Sequence, residues 1–486
     1  MVAALIAMCR RGLKEAGVLK AEFEAPLDAA VVEAKRWLAS LDQQPVGPEA
    51  DARMMLRAFN EELPAKGEPA DLVVRLLAQR AAPGLFATGS GRFHGWVVGG
   101  ALPAAVAADW MVSAWDQNAG MAETAPAVCA VEQVVARWVL ELLGLAPTCS
   151  VGFVTGGQMA NTVCLAAARN YVLAAHGWDV EADGLIGAPP VTVVVGDERH
   201  STIDRGLRLL GLGSRSVRTV EVDGAGRINP GDLESVLAGV SGPTIVCAQA
   251  GNVNGGAVDP FGPICDVIDQ RDTDDIWLHA DGAFGLWVRA EPTRRHLLDD
   301  VERADSWATD AHKWLNTPYD CGMAICARPE SQRRAMGIRA AYLPSGDDDE
   351  VRNPVDFNPE FSRRARAVPV WAALRQLGAD GLARIVDRCC LMAERYASAL
   401  GAIEGVEVMH QDLNQVVIRF DGPSGGHDDE HTRQVISKVQ AHGTCYPSAT
   451  VWHGAAAMRI SVCNWRIDEE DVDRSVASIM AAHSGL

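Results

Sequence analysis

A chain of 486 residues, 48% hydrophobic and 22% charged, can bury a core too large for one simple domain and has the balance of a soluble globular protein. Its net charge of −19 argues against a nucleic-acid partner, because phosphate backbones are gripped by clustered Lys and Arg. The twelve cysteines form no Cys-x-x-Cys pair, which argues against the common zinc and redox motifs and leaves reduced thiols in a cytosolic enzyme as the simplest account.

The apolar start Met1–Met8 is followed, not preceded, by Arg10 and Arg11, the reverse of a signal peptide. No run reaches the roughly eighteen apolar residues of a membrane helix. A cytoplasmic protein with no membrane partner is expected. Residues 1–85 read as mostly helical, with apolar faces at Val31–Leu38 and Ala70–Leu77 and breaks at Pro45, Pro48, Pro64 and Pro69. Exposed amphipathic helices of this kind often pack on another subunit. Residues 86–100 are rich in glycine and carry Phe86, Phe93, His94 and Trp96. Such a stretch either lines a ligand pocket or forms a surface Ω-loop. A helix over about 102–115 and a longer one ending near Gly144 follow.

Seven strand candidates then alternate with helices: Val151–Thr155, Val191–Gly196, Val217–Val222, Thr244–Ala248, Ile276–Ala280, Asp305–Ala308 and Gly322–Ala327. The alternation predicts a largely parallel sheet covered on both faces. Its strand ends carry the polar residues. The first leads into Gly156-Gly157-Gln158 and a helix start, a turn whose free amides suit a phosphate. Without a GxGxxG pattern or a Walker lysine, a nucleotide is disfavoured. The second leads to His200, which can lie on a planar ring or simply cap the next helix. The fourth leads to Asn252, a cofactor contact or a turn residue. The fifth ends at Asp281, where a carboxylate in an α/β sheet faces the ligand crevice.

Between the last two strands lies Asp310-Ala311-His312-Lys313-Trp314-Leu315. A lysine partly desolvated among aromatic residues loses proton affinity and becomes a usable nucleophile. The chemistry that needs such an amine is Schiff-base formation with a carbonyl, above all that of pyridoxal 5'-phosphate (PLP). A carboxylate such as Asp281 beside the pyridine nitrogen keeps that ring protonated and electron-withdrawing. A lysine reaching solvent and a turn aspartate are the plain alternatives, and the two residues in this order on consecutive strands argue against them.

Beyond the lysine, residues 336–354 read as a mobile acidic loop able to act as a lid, with Tyr342 on it. Arg363, Arg364 and Arg366 can hold a carboxylate or form a solvated charge cluster. A smaller α/β domain is expected from a helix over 371–401, strands at 406–409, 415–420, 447–453 and 457–463, and helices over 429–442 and from Asp468. His427 and His431 have a metal-compatible spacing but no further ligands nearby, so no metal is expected.

His279-Ala280-Asp281-Gly282-Ala283-Phe284-Gly285 followed by Asp310–Leu315 resembles the group II PLP-dependent decarboxylases, a family that includes the aromatic amino acid, histidine and glutamate decarboxylases. The resemblance runs from about Phe86 into the C-terminal region. It implies the α/β fold of type I PLP enzymes, aspartate-aminotransferase-like, with a large seven-stranded domain over 86–370 and a small domain over 371–486. It also implies that residues 1–85 wrap a partner, giving a homodimer with interface active sites. By the same resemblance Lys313 carries PLP, Asp281 meets the ring nitrogen and His200 stacks on the ring. Gly156, Gly157 and Gln158 take the phosphate, and Asn252, Ala283 and His312 complete the cofactor contacts. Phe93, Trp96 and Arg364 reach the substrate, and Tyr342 protonates the carbon left by CO2. The implied reaction is decarboxylation of an L-amino acid, with an aromatic side chain favoured by Phe93 and Trp96. An acidic side chain is the alternative, through the arginines near 364.

One departure is visible. Asp310-Ala311 stands where many members have Asn-Pro, and an acid at that place is found in related carbon–carbon lyases of phosphate-bearing substrates. Such a lyase is therefore a second enzyme reading, with an aminotransferase behind it, and Tyr342 favours decarboxylation. A PLP-free partner subunit would form no borohydride-reducible adduct, and the complete set Lys313, Asp281 and His200 argues against it.

Overall fold

Asp51, whose carboxylate accepts the amide of Met54 at 2.8 Å, starts the helix Ala52–Phe59, which lies in sequence between the helices Ala21–Ser40 and Ala70–Ala81. The computed structural model describes residues 21–271, 273–338 and 351–485 and falls into two units that divide between Ser90 and Gly91. Within the first unit Arg80 pairs with both oxygens of Glu61, at 2.7 and 2.9 Å. Leu56, Leu72, Val73 and Leu77 stay exposed on these helices.

Among the described residues the second unit holds twelve strands. They are β1 (Phe93–His94), β2 (Ser150–Val154), β3 (Thr192–Gly196), β4 (Val217–Val220), β5 (Thr244–Gln249), β6 (Ile276–Asp281), β7 (Ser306–Asp310), β8 (Gly322–Cys326), β9 (Val406–Asp412), β10 (Gln415–Phe420), β11 (Tyr446–Trp452) and β12 (Ala455–Ser461). The seven strands expected from the sequence form one sheet in the order β2-β8-β7-β6-β5-β3-β4. Strands β3 to β7 pair in parallel, while β8 runs antiparallel to both β7 and β2. Central strands such as β5 and β6 are buried at every position, because helices cover both faces, and so they read as continuous apolar runs.

This topology fixes where chemistry can happen. Strand β8 returns directly from β7 through residues 311–321, and β2, antiparallel to β8, points the same way as β7. The carboxyl ends of β2, β3, β5, β6 and β7 therefore share one edge of the sheet, the edge where α/β proteins bind ligands. The turns Gly156–Gly157, Glu198–His200, Gly251–Asn254 and Asp281–Ala283 and the loop with Lys313 all lie there.

A second sheet has the order β1-β11-β12-β10-β9 and is packed by the helices Ala367–Gly401, Asp429–His442 and Glu469–Ser484. The first of these breaks at Gly378, whose φ of 64° is in the left-handed region. Strand β1 comes from the glycine-aromatic stretch and pairs in parallel with β11, Phe93 beside Tyr446 and His94 beside Pro447. That stretch is an edge strand followed by a tight approach: a Cβ on Gly99 would stand 1.9 Å from the carbonyl oxygen of Lys313, so only glycine fits. Asn316, buried and at φ 56°, ties the region together. Its Oδ1 accepts the amides of Gly100 (2.8 Å) and Trp465 (3.0 Å), and its Nδ2 donates to the carbonyls of Trp314 (2.7 Å) and Cys463 (3.0 Å).

Candidate active site

Lys313 leaves the core between two anchors. Trp314 beside it is fully buried against Phe284, and Asn316 clamps the following turn. Its Nζ reaches Oδ2 of Asp310 at 3.0 Å, and its side chain is 20% exposed. Asp310 ends β7 and is itself buried, its amide donating to the carbonyl of Ala283 (2.9 Å) and its carbonyl accepting the indole N–H of Trp287 (2.9 Å). Oδ1 of Asp310 lies 3.5 Å from Nε2 of His312 and has no hydrogen-bond partner among the described residues. His312 accepts the amide of Cys321 on Nδ1 (3.1 Å), which puts its ring proton on Nε2. Burial holds its basicity down, and its ring stacks on Tyr319 with centroids 4.2 Å apart.

Next to Asp310 lies the turn from β2 into the helix Gly157–Ala174. A Cβ on Gly157 would stand 2.7 Å from Oδ2 of Asp310, and one on Gly156 would stand 3.0 Å from Cε1 of His312. The absence of side chains leaves a concave turn lined by the helix's first amides, which fits a phosphate. Gln158 does not point its side chain into that turn. Its Nε2 donates to the carbonyl of Thr202 at 3.1 Å, so only its backbone amide belongs to the helix start.

Asp281 is buried at the end of β6 and accepts the amide of Ala283 (3.3 Å) and Nδ2 of Asn161 (3.0 Å). His200 caps the helix Ser201–Leu209 through Nδ1, which accepts the amide of Thr202 at 3.3 Å and lies 2.8 Å from its hydroxyl. Burial lowers its basicity, opposed by the nearby Asp281 carboxylate. A buried carboxylate, a concave phosphate turn, a lysine amine and a flat imidazole along one sheet edge are the donor set that PLP requires.

A cavity of about 580 Å³ opens here, lined by Trp96, Glu198, His200, Lys313, Tyr319 and Arg459 among others. Arg459, on β12, was not singled out from the sequence. It is buried and hydrogen-bonds the carbonyl of Val253 (3.2 Å) and Oδ1 of Asn254 (3.4 Å), while its Nε has no partner among the described residues. The available signal was a single arginine in the otherwise small and apolar run Ala455–Ser461. Thr202, Asn161 and Tyr319 were likewise unassigned.

Several expected site residues sit elsewhere. Phe93 is in the core, stacked on Tyr446 (5.9 Å) behind Trp96, because β1 turns it inward; Trp96 alone of the pair lines the cavity. Arg364 is held by Asp109 (2.7 Å) and Ser113 (3.1 Å) and does not line the cavity, because that carboxylate takes its guanidinium away. Asn252 is buried and closes its own loop: Oδ1 accepts the amides of Asn254 (2.8 Å) and Gly255 (3.2 Å), and Nδ2 donates to the carbonyl of Glu198 (3.3 Å). Its neighbour Asn254 faces the cavity instead. Tyr342 lies outside the described residues. His427 and His431 do not line the cavity: His427 meets Glu407 and Asp421, and His431 meets His483. Among the described residues no group of His, Cys, Asp and Glu is arranged to hold a metal, and no helix is long and apolar enough to cross a membrane.

Comparison with known proteins gives a consistent picture. Residues 53–421 match the model of the pyridoxal-dependent decarboxylase conserved domain. The chain is 26% identical to 4-hydroxyphenylacetaldehyde synthase of Rhodiola rosea over 454 residues, 90% of each chain. It is 31% identical to human cysteine sulfinic acid decarboxylase over 364 residues, 72% of each. In fold it is similar to Oryza sativa TDC, crystallised with PLP and tryptamine, with a TM-score of 0.88, 24% identity, and coverage of 96% of this chain and 99% of the other.

Proposed function

Because this chain belongs to the pyridoxal-dependent decarboxylase family, and is thus a PLP-dependent amino acid decarboxylase, we propose that it removes the α-carboxylate of an aromatic L-amino acid to give the amine and CO2. The observation that carries this reading is the meeting of Lys313, His200 and Arg459 around one cavity whose other walls include Trp96 and Tyr319. PLP, when bound, draws in the electron pair released as the bond from Cα to the carboxylate breaks.

The chain's own residues divide the remaining work. Lys313 supplies the amine, Asp281 holds a proton at the pyridine nitrogen, and His200 covers a ring face. The amides at Gly156 and Gly157 take the phosphate. Burial lowers the Arg459 guanidinium only to about 10, so it stays charged at neutral pH and can orient the α-carboxylate. An aromatic side chain fits Trp96 and Tyr319. An acidic one would need a second cation, and Arg199, also on the wall, is already paired with Asp204 at 3.0 Å. Tyr342 remains the proposed donor of a proton to Cα.

The described cysteines are all free and buried, in keeping with a reducing, cytoplasmic setting as part of this proposal. A homodimer is also proposed, supported by the exposed Leu56, Leu72 and Leu77 and tested by sedimentation equilibrium.

The test is mass spectrometry of products after PLP-loaded protein meets a panel of amino acids. A product at the mass of an aromatic substrate less CO2 supports the reading. An acidic substrate overturns the aromatic choice, and an aldehyde overturns the role given to Tyr342. A Lys313→Ala chain that still gives a borohydride-fixed pyridoxyl adduct overturns the lysine assignment.

A further inference from the structure

We propose that Asn161 is a positioning residue for both sides of the cofactor: one amide hydrogen orients Asp281 and the other, through the Thr202 hydroxyl, reinforces the hydrogen-bonding of His200, with His279 fixing which way the amide faces. The inference rests on the roles proposed above for Asp281 and His200.

The direction of each hydrogen bond follows from the two ends of the chain, the Trp277 indole, which can only donate, and the Asp281 carboxylate, which accepts from Asn161. The indole N–H of Trp277 lies 2.9 Å from Oγ of Ser306 and can only donate. Ser306 is fully buried, and its hydroxyl can give its own hydrogen to Nδ1 of His279, also 2.9 Å away. His279 is fully buried on β6, two residues before Asp281, and burial pushes its basicity down to about 4, so it carries one ring proton. With Nδ1 accepting, that proton is on Nε2 and donates to Oδ1 of Asn161 at 2.9 Å. The amide of Asn161 is therefore fixed with its NH2 toward the active site. One hydrogen goes to Oδ2 of Asp281 (3.0 Å) and the other to Oγ1 of Thr202 (3.0 Å).

Both consequences bear on the cofactor. A flipped amide would set a carbonyl oxygen 3.0 Å from the Asp281 carboxylate, a repulsion that His279 excludes. Thr202, accepting from Asn161, directs its own hydrogen to Nδ1 of His200 at 2.8 Å. Together with the Thr202 amide, which also donates to Nδ1 (3.3 Å), this keeps the His200 proton on Nε2. One buried side chain, reached by one strand and one helix, thus orients the charge partner of the ring nitrogen and supports the hydrogen-bonding of the imidazole.

The full chain, loaded with PLP carrying 15N at the ring nitrogen, reads this directly. His279→Leu is expected to move the 15N resonance from the pyridinium range toward neutral pyridine and to weaken PLP binding roughly tenfold. His279→Gln, whose amide can donate at the place of Nε2, is expected to restore both. A purely structural histidine would lower thermal stability in both variants without moving the resonance. An unmoved resonance in folded His279→Leu, or the same displacement in His279→Gln, overturns the proposal. Should His279→Leu fail to fold, Asn161→Ser decides by the same resonance. Asp281→Asn separates the levels: if it leaves the resonance unmoved, the assignment of Asp281 itself falls, whatever the histidine variants show.

Discussion

Nζ of Lys313 and Oδ2 of Asp310 lie 3.0 Å apart beside the turn that opens the helix at Gly157. The same carboxylate would meet a Cβ on Gly157 at 2.7 Å, so an acid stands where a phosphate is expected to dock. Lys313 offsets part of its charge. Asp310→Asn is expected to tighten PLP binding by roughly 1 kcal/mol, about fivefold, by removing like-charge repulsion at an incompletely screened site. Fluorescence titration with PLP measures it. Weaker binding would mean that the carboxylate matters more for holding Lys313 and His312 in place.

Arg459 projects from the small sheet into a cavity whose other charged groups, Glu198, Arg199 and Lys313, come from the large one. Truncating a buried charge that meets a substrate carboxylate costs about 2 kcal/mol or more. Arg459→Met is expected to raise KM for the amino acid about thirtyfold while PLP affinity stays within about twofold. Steady-state kinetics with a parallel PLP titration separate the two, and equal losses in both would contradict an α-carboxylate role.

Acid should destabilise this fold through buried histidines. Burial pushes His279 down to about 4 and His94, bonded to the Tyr396 hydroxyl at 2.7 Å, to about 3. Unfolded, each titrates near 6.5. Above that pH both states are neutral and the stability is fully present. As pH falls below it the unfolded chain takes up protons the folded chain refuses, and the loss continues down to about 4 for His279 and about 3 for His94. Each histidine costs about 1.4 kcal/mol per pH unit in that window. Urea midpoints are expected to fall between pH 7 and pH 5, with a shallower fall in His279→Gln.

Asn316 joins the turn after Lys313 to Gly100 and Trp465. Alanine there strands two backbone amides that have no other route to a partner and strains a left-handed φ of 56°. Asn316→Ala is expected to cost about 3 kcal/mol, seen as a lowered thermal midpoint of the PLP-free chain, and to weaken PLP binding as well. A stability loss without any effect on PLP would place the Lys313 loop beyond Asn316's influence.

Much of this was legible beforehand, for physical reasons. The seven strands of the large sheet stand out because strands buried on both faces must be continuous apolar runs, and the parallel order puts Asp281, His200 and Lys313 at one edge. The small domain could be read from the alternation of its helices and strands. What escaped is long-range or inward-facing. Phe93–His94 is too short to declare itself a strand, and its partner Tyr446 lies near the other end of the chain. Arg459 looks like an ordinary outward strand residue until the cavity is placed beside β12. Arg364 and Asn252 looked free in sequence because Asp109 and the Gly255 turn that occupy them are set by folding.

The sheet order also bears on how the chain is made. Strands β4 to β7 can pair as they leave the ribosome, each finding a neighbour among strands already synthesised. Strand β2 emerges before all of them, yet its only partner in the sheet is β8: Ser150 must wait for Cys326, 176 residues later. A nascent chain stopped just short of β8 would carry Gly156, His200, Asp281 and Lys313 with no strand pairing to hold β2 against the rest. Closure of that edge is a late, long-range event, slow by the usual cost of non-local pairing, so capture of the cofactor is coupled to the end of synthesis of the large sheet.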